Sequence, residues 1–392
     1  MNETTDQTTW SRPKASGVAV VTCEFPPFPG GIGTYAGELA AVMGQRGFSV
    51  TVVAPSYQGV VPDEKGIDVR RILGHHRIRA QAVPALVSTL RLLPQNQPIL
   101  AADIRSVVAL YILRPFHRRQ YRAMVHGSEA AKFQGWSVPL QLARMAYTAA
   151  SMVLFNSRAT QEIFERGFGK VRNPQVTYLG VDEFWFGPVS EKFENSDLEA
   201  ISEADHIVCS VGRVEPRKGQ LEAVRILALV AGKHRLGNLT YVIAGRVESN
   251  EYMSEILEEA KRLSVRVLAP GSLSRADIKL LFRRALCQVL FASSLPGKIE
   301  GFGLVLLEAA AQECPTIATN SGGIPEVLGN TGLLVPEGAM EQAADGIHNF
   351  AIDPIARKEH GEAARRRAME FTWSRCADLT FPELANNYLI PA

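Results

Sequence analysis

The sequence lacks several patterns that would assign a protein to a class at once. Its five cysteines show no C-x-x-C spacing, so we expect small buried hydrophobic residues in a reducing compartment. No uninterrupted apolar run reaches about 18 residues, the length that a membrane-spanning helix requires. No Asp-x-Asp triplet occurs, and the formal net charge of +2 argues against a general nucleic-acid-binding protein.

The length and the pattern of the chain predict two domains. At 392 residues with 46% hydrophobic content, the chain is too long for one ordinary core. Short apolar runs alternate with helical patterns in both halves, which indicates an α/β protein with two doubly wound domains facing across a cleft. We place them at residues 15–185 and 203–370, with a final helix in 371–392 crossing back to the first domain. The absence of an apolar leader predicts a cytoplasmic protein.

A glycine-rich turn in residues 293–312 is the first candidate ligand site. Residues 301–303 (Gly-Phe-Gly) lie where a strand ends and a helix begins, so the backbone can approach a phosphate and direct N–H groups at it. Glu300 and Glu308 flank this turn. Because carboxylates do not bind phosphate, we expect the two side chains to hold hydroxyl groups beside it.

A second candidate anion site lies in residues 212–219 (GRVEPRKG). Arg213 and Lys218 bracket a turn that leads into a helix N-terminus, and this combination suits a diphosphate. A charged loop that faces only solvent is the alternative interpretation.

Two strand ends in the first half carry further candidates. Residues 30–33 (Gly-Gly-Ile-Gly) follow the first strand, but without the full dinucleotide-binding spacing, so a tight turn with no ligand is an equal alternative. His126 ends a strand and precedes a glycine, which favours a side chain facing the cleft. A histidine bonded only to backbone is the competing interpretation.

Arginines are concentrated in the first half of the chain. They suit an anionic lipid, a lipid-linked saccharide or a membrane surface, and a solvated surface explains them as well. These residues are Arg70, Arg71, Arg77, Arg79, Arg114, Arg118, Arg119 and Arg122.

Four motifs together resemble the retaining GT-B glycosyltransferases of family 4. They are FPGGIGTYAGELA at residues 28–40, GRVEPRKG at 212–219, EGFGLVLLE at 300–308 and SGGIPEV at 321–327. The most specific part is the pair of glutamates separated by seven residues, together with the upstream Arg and Lys. The resemblance spans nearly the whole chain. It implies a nucleotide-sugar donor held mainly by the C-terminal domain and an acceptor held mainly by the N-terminal domain.

The resemblance also implies a role for each candidate residue. Arg213 and Lys218 would bind the donor diphosphate, and Glu308 would hold the ribose hydroxyls. Glu300 and His126 would lie at the donor sugar. The remaining donor-site residues are Gly31, Phe302, Gly303, Leu304 and Val305.

The implied reaction is a retaining, metal-independent transfer of a hexose from a UDP- or GDP-sugar to an acceptor hydroxyl, with no cofactor. Fixed cations and helix N–H groups would stabilise the charge that develops on the leaving diphosphate. Arg213 and Lys218 would then do what a divalent ion does elsewhere. One departure from the family is the insertion at residues 295–299. Two interpretations of it are left open: the loop closes over the sugar, or Lys298 adds a contact.

Two other functions are consistent with the same residues. One is a nucleotide-sugar epimerase on the same two-domain plan, since a fold alone does not determine chemistry. The other is a non-catalytic subunit that binds a sugar nucleotide. The donor base, the acceptor, the oligomeric state and a peripheral contact with the cytoplasmic membrane surface are left open by the residues alone.

Overall fold

The structure, a computed structural model, describes residues 17–28, 30–59, 66–135, 137–202, 205–293 and 298–385. It contains a seven-stranded and a six-stranded sheet, and every pairing between the strands is parallel. Each sheet belongs to one half of the chain and is flanked by helices. The predicted α/β class with two Rossmann-like domains is confirmed.

The sheet of the N-terminal domain is built from buried, mostly aliphatic runs. Its strands are β1 (Gly17–Val21), β2 (Ser49–Pro55), β3 (Ile67–Leu73), β4 (Ile99–Ala101), β5 (Arg122–Val125), β6 (Met152–Phe155) and β7 (Pro174–Val176). They are hydrogen-bonded in the order β3-β2-β1-β4-β5-β6-β7. The order reverses between β1 and β4, and parallel sheets bind ligands beyond the strand ends at such a switch point.

Helices lie between most of the consecutive strands, as crossover connections between parallel strands usually require. They are α1 (Gly31–Gln45), α2 (Val83–Leu92), α3 (Ile104–Ile112), α4 (Arg114–His117), α5 (Gly127–Ala130), α6 (Val138–Thr148) and α7 (Arg158–Phe168). The side chain of Asp103 caps α3 by accepting hydrogen bonds from Arg105 N and Ser106 N. Helix α3 ends before Pro115, so the amphipathic pattern around that proline forms two helices.

The C-terminal domain repeats the plan with six strands. They are β8 (His206–Val211), β9 (Leu239–Ala244), β10 (Arg266–Gly271), β11 (Cys287–Leu290), β12 (Thr316–Thr319) and β13 (Leu333–Val335). Their order is β10-β9-β8-β11-β12-β13, with the switch point between β8 and β11. The two turns predicted as anion sites, at 212–219 and at 301–303, follow these two strands.

Eight helices follow within the described part of the C-terminal half. They are α8 (Gln220–His234), α9 (Asn250–Arg262), α10 (Arg275–Arg284), α11 (Leu304–Ala311), α12 (Ile324–Leu328), α13 (Met340–Ile352), α14 (Pro354–Ala368) and α15 (Trp373–Thr380). No helix in the described ranges is both long and apolar enough to cross a membrane.

The two domains share one continuous hydrophobic core cluster. It joins the β1 side of the first sheet to the β8 side of the second through residues that include Leu179, Trp185, Phe302 and Trp373. All five cysteines are buried and free. The domains are therefore packed against each other by apolar surface as well as connected by the chain.

The chain passes between the domains twice, and the two passages run side by side. Val181 N donates to Phe371 O at 3.0 Å, which links the outgoing passage to the returning one. Helix α15 then lies against the first domain, where Asp378 accepts from Arg46 Nη1 at 2.7 Å. Glu383 pairs with Arg122 beyond the helix.

Candidate functional site

A buried carboxylate with two cations lies at the switch point of the C-terminal sheet. Oε2 of Glu300 accepts from Arg217 Nη1 at 2.7 Å and from Lys218 Nζ at 2.5 Å. Burial alone would raise the pKa of Glu300, but the charges of Lys218 and Arg217 outweigh it and lower the pKa to about 2. Glu300 is therefore ionised near neutral pH and gathers both cations at one point.

Arg217 is a residue that the sequence interpretation missed. It lies in the 3-10 turn Pro216–Lys218, is buried, and also donates through Nη2 to Glu215 Oε1 at 2.9 Å. Its sequence signal was its place directly before Lys218 in the GRVEPRKG motif. The cation pair at this carboxylate is Arg217 and Lys218, whereas Arg213 lies elsewhere in the turn.

Arg213 lies on the open side of the same turn. Its side chain is 51% exposed, and Nη2 is 3.1 Å from Glu215 Oε1. Its charge also acts on Glu24 in the N-terminal domain. Burial and the charge of Asp103 raise the pKa of Glu24, and the charges of Arg105 and Arg213 partly offset this rise. Arg213 thus faces the space between the domains.

The turn at residues 301–303 leads directly into α11. Gly303 has a left-handed φ of 86°, and Leu304 is the first residue of the helix. The Phe302 side chain is buried against Tyr178 and Phe371, so only its backbone is available to a ligand. Val305 lies in the first helical turn. Of the insertion at residues 295–299, residues 295–297 lie outside the described residues, and Lys298 is exposed.

Glu308 lies in a group of carboxyls on the other side of α11. Burial is the main reason that the pKa of Glu308 is raised to about 7. The charge of Arg275 partly offsets this rise, and the charges of Asp182 and Glu38 add to it. Arg275 is itself paired with Asp182. Glu38 comes from α1 of the N-terminal domain, so this group also lies between the domains.

His126 lies at the end of β5 and is buried. Its Nε2 lies 3.0 Å from Ala102 O, to which it donates in the matching tautomer. Burial lowers its pKa to about 4, so the ring is neutral at physiological pH. The backbone contact that we considered as the alternative is present, and Nδ1 is the ring nitrogen that this bond does not use.

The glycine turn after β1 opens α1. Gly31 is the first residue of that helix, and a Cβ added there would meet no atom within 4 Å. The backbone at this position therefore borders open space. That geometry leaves room for a group on the N-terminal side of the cleft.

An aromatic group beside this turn was also missed from the sequence. The Phe28 and His75 rings stack with centroids 3.9 Å apart, and Tyr57 meets Phe28 edge-on at 5.2 Å. His76 Nδ1 lies 3.1 Å from Glu24 Oε1, and His76 has a left-handed φ of 55°. A strained non-glycine residue at a strand end is common in binding sites.

Half of the arginines that suggested a basic patch serve the fold. Arg119 donates to the carbonyls of Leu93, Pro94 and Gln97 at 2.7 to 2.8 Å. The other three structural arginines are Arg70, Arg71 and Arg122. The basic surface patch is therefore smaller than the sequence predicted.

Two family models match the chain, one for each domain. The model for Glycosyltransferase Family 4 matches residues 29–183, and the model for Glycosyl transferases group 1 matches residues 191–367. The resemblance indicated by the motifs is confirmed.

Curated relatives cover nearly the full length of the chain. It is 29% identical over 367 residues to the GDP-mannose-dependent alpha-(1-6)-phosphatidylinositol monomannoside mannosyltransferase of Mycobacterium tuberculosis, covering 89% of this chain and 93% of that protein. It is 24% identical to the D-inositol 3-phosphate glycosyltransferase of Pseudarthrobacter chlorophenolicus, covering 90% and 89%.

Solved structures match the two-domain arrangement. HepE of Anabaena, in complex with UDP and glucose, superposes with a TM-score of 0.74 at 21% identity, covering 94% of this chain and 99% of that one. The sucrose-phosphate synthase of Thermosynechococcus elongatus gives 0.74 at 20% identity, covering 95% and 98%. These similarities show the fold, and the named relatives favour group transfer over epimerisation.

Proposed function

Because the chain belongs to family 4 of the glycosyltransferases, with their two-domain GT-B fold, we propose that it transfers a hexose from a UDP- or GDP-sugar to an acceptor hydroxyl with retention of configuration. The acceptor is a glycan, a glycolipid or a small metabolite. The C-terminal domain binds the donor and the N-terminal domain binds the acceptor.

The observation that carries this proposal is the cation pair on Glu300. Lys218 and Arg217 converge on one buried carboxylate beside the N-terminus of α11. A donor diphosphate placed there gains charge-assisted hydrogen bonds that strengthen as the bond to the sugar breaks. Arg213, on the open side of the turn, closes the site over the diphosphate.

The position of the donor diphosphate beside Glu300 assigns roles to the other candidate site residues. Glu308 holds the ribose hydroxyls, and His126 lines the sugar site with a neutral ring. Gly31 allows the N-terminal loop to approach the diphosphate. The backbone groups around sugar and phosphate come from Phe302, Gly303, Leu304 and Val305.

Metal independence and retention rest on the same charges. With no Asp-x-Asp triplet in the sequence, the arginine and lysine side chains neutralise the leaving diphosphate. Glu300 is a poor nucleophile because two cations hold its only charge. We therefore assign no double displacement, and the acceptor attacks from the face that the diphosphate leaves, with a phosphate oxygen as the base.

On the acceptor side, the group formed by Glu24, Phe28, Tyr57, His75 and His76 suits a polyhydroxylated ring. Aromatic faces pack against the C–H face of such a ring, and a carboxylate accepts from its hydroxyls. The relatives named for phosphatidylinositol monomannoside and inositol 3-phosphate act on acceptors of this kind by their names.

A contact with an anionic membrane surface is the last part of the proposal. A groove of about 530 Å³ runs between α2 and α4. Leu92 and Phe116, which line the groove, are 75% and 57% exposed, and Ile112 at the end of α3 is 50% exposed. Arg114 and Arg118 form no ion pair with any described residue, and cations beside exposed apolar groups match anionic headgroups over acyl chains.

Vesicle co-sedimentation tests this contact. We expect binding to phosphatidylglycerol vesicles at low salt, weak binding to phosphatidylcholine vesicles, and a loss of about tenfold or more in Phe116→Ala, on the scale of one buried aromatic group. Ile355→Ala, a 73% exposed apolar residue of α14, is the control. Equal binding by both variants would contradict the contact, and pelleting without vesicles would indicate self-association instead.

The main test combines donor binding and transfer. UDP-, GDP- and ADP-sugars are added to the protein in a thermal-shift panel, and we expect one of them to raise the melting temperature. Lys218→Ala and Glu308→Ala should each lower transfer by about a hundredfold or more without unfolding the protein. Lys233→Ala, an exposed lysine paired with Glu341 and Asp345, is the control. Wild-type rates in both site variants would refute the assignment.

A further inference from the structure

Four residues meet at one point of the contact between the two domains. They are Gly127, Ser157, Gly301 and Glu326, and we call this point the interdomain junction. Gly127 opens α5 directly after His126, and Gly301 directly follows Glu300. A Cβ on Gly127 would lie 2.4 Å from Gly301 Cα, and a Cβ on Gly301 would lie 2.7 Å from Gly127 Cα. The two backbones are therefore in direct contact, and a side chain at either position would separate the domains.

Ser157 holds the same glycine from the N-terminal domain. It is fully buried and caps α7, accepting from Thr160 N at 3.0 Å. Its Oγ also donates to Gly301 O at 2.7 Å. One hydroxyl thus satisfies a helix of the N-terminal domain and a carbonyl of the turn that carries Glu300.

Glu326 makes the reciprocal contact from the C-terminal domain. Its Oε2 accepts from Arg158 N at 2.8 Å and its Oε1 accepts from Ala159 N at 2.7 Å. A carboxylate at the first two N–H groups of α7 is favoured by both hydrogen bonding and the helix dipole. The N-terminus of α7 is therefore capped by residues from both domains.

These contacts reach the donor-binding turn from two sides. Glu300 O accepts from Gly323 N at 2.9 Å, and Gly323 directly precedes the helix that carries Glu326. Gly301 O, one residue further, accepts from Ser157 of the other domain. The turn that places the Glu300 carboxylate is consequently shaped by α7 as well as by its own domain.

We propose that Ser157 and Glu326 are positioning residues, which set the Glu300 turn in its reactive geometry only while α7 is docked on it. Their role rests on the proposed glycosyl transfer. Domain docking and the placement of Glu300, Arg217 and Lys218 are then one event, and loosening the junction weakens the chemical step more than it weakens nucleotide binding.

The first experiment compares caps on two helices of the same length. Ser157→Ala removes the cap of α7, and Ser137→Ala removes that of α6, where the Ser137 hydroxyl accepts from Leu140 N. Each change removes one helix-capping hydrogen bond. Release of nucleotide from GDP-mannose and UDP-glucose is measured, with affinity for free GDP and UDP alongside.

We expect Ser157→Ala and Glu326→Gln to lower kcat by about tenfold or more while nucleotide affinity stays within about twofold. Ser137→Ala should keep the wild-type kcat. If Ser157→Ala and Ser137→Ala lower kcat equally, or if nucleotide affinity falls in parallel with kcat, the positioning role is wrong.

Hydrogen–deuterium exchange gives a second readout that requires no turnover. Peptides covering residues 298–303 should exchange faster in Ser157→Ala and Glu326→Gln than in wild type or Ser137→Ala. Unchanged exchange in that turn would overturn the inference. If the wild-type protein turns over no UDP- or GDP-sugar, the proposed function fails, and the exchange result still decides whether the junction holds the turn.

Discussion

The two switch points of this molecule hold their carboxyl groups in opposite ways. In the C-terminal domain, Glu300 is neutralised by the side chains of Arg217 and Lys218, and its pKa is lowered to about 2. In the N-terminal domain, Glu129 is buried and accepts from the backbone N–H groups of Ile104 and His126 at 2.8 and 3.2 Å. Burial and the charge of Asp103 raise the Glu129 pKa to about 8.

The two domains therefore present different charges to a substrate. On the C-terminal side, two side-chain cations lie at one buried carboxylate, so positive charge is concentrated where the proposed donor diphosphate would bind. At the N-terminal switch point, His126 is uncharged and Glu129 is protonated near neutral pH, and both side chains are bonded to backbone groups. A charged leaving group and an uncharged attacking hydroxyl match this division.

The strongest test of the comparison removes the carboxylate between the cations. Glu300→Gln should destabilise the protein by about 3 to 5 kcal/mol at pH 7, because it removes the carboxylate that pairs the largely buried Lys218 and one of the two carboxylates that pair Arg217. The folded pKa lies below the unfolded one, so this stability is present above about pH 4.5 and is lost as the pH falls toward 2. Urea unfolding at pH 7 and pH 3 measures it.

The control for that variant is Glu248→Gln, which removes an exposed partner of Arg246. We expect a smaller change there, because solvent screens the pair. A Glu300→Gln variant as stable as this control at pH 7 would show that the buried ion pair does not hold the turn.

The N-terminal side should respond to acid at a higher pH. The pKa of His126 is about 4 in the folded protein, below its ordinary value of about 6.5. The wild type therefore loses stability as the pH falls from about 6.5 toward 4. Between pH 7 and 5 we expect about 2 kcal/mol more loss in wild type than in His126→Asn. Urea unfolding at several pH values measures the difference, with the exposed His360→Asn as the control. Parallel pH profiles for wild type and His126→Asn would contradict a neutral buried ring.

The smallest expected effect concerns Glu308, which lies where the two domains meet. Burial raises its pKa to about 7, so a ribose hydroxyl should bind more strongly once the carboxyl ionises. We expect nucleotide affinity to rise by about threefold to tenfold from pH 6 to 8 and to be flat in Glu308→Gln. Titration calorimetry with UDP and GDP measures it, with Glu370→Gln on the surface as the control. A rise preserved in Glu308→Gln would place the titrating group elsewhere.

The fold was predictable because its signals are local. Buried runs such as GVAVV in β1 and CQVL in β11 each form a strand, and the glycine turns after β1 and β8 lie at switch points. Parallel sheets with helical connections follow from such an alternation. The placement of the E-x7-E motif on a turn and the following helix was predictable for the same reason.

Charge placement was not predictable in the same way. Arg213 and Arg217 belong to one motif, yet Arg213 is half exposed while Arg217 is buried on a carboxylate 83 residues away. Which of two neighbouring cations turns inward depends on the tertiary position of Glu300. Arg119 likewise resembled a surface cation, but it donates to backbone carbonyls in the interior. The Glu24–His76 pair joins two strand ends that only the sheet order brings together.

The paired passages between the domains have a mechanical consequence. Val181 N is bonded to Phe371 O where the chain leaves the first domain and returns to it. The two connections between the domains therefore lie side by side. A single protease cut in either passage would leave the halves tethered by the other, so the nicked protein should still migrate as one particle under native conditions.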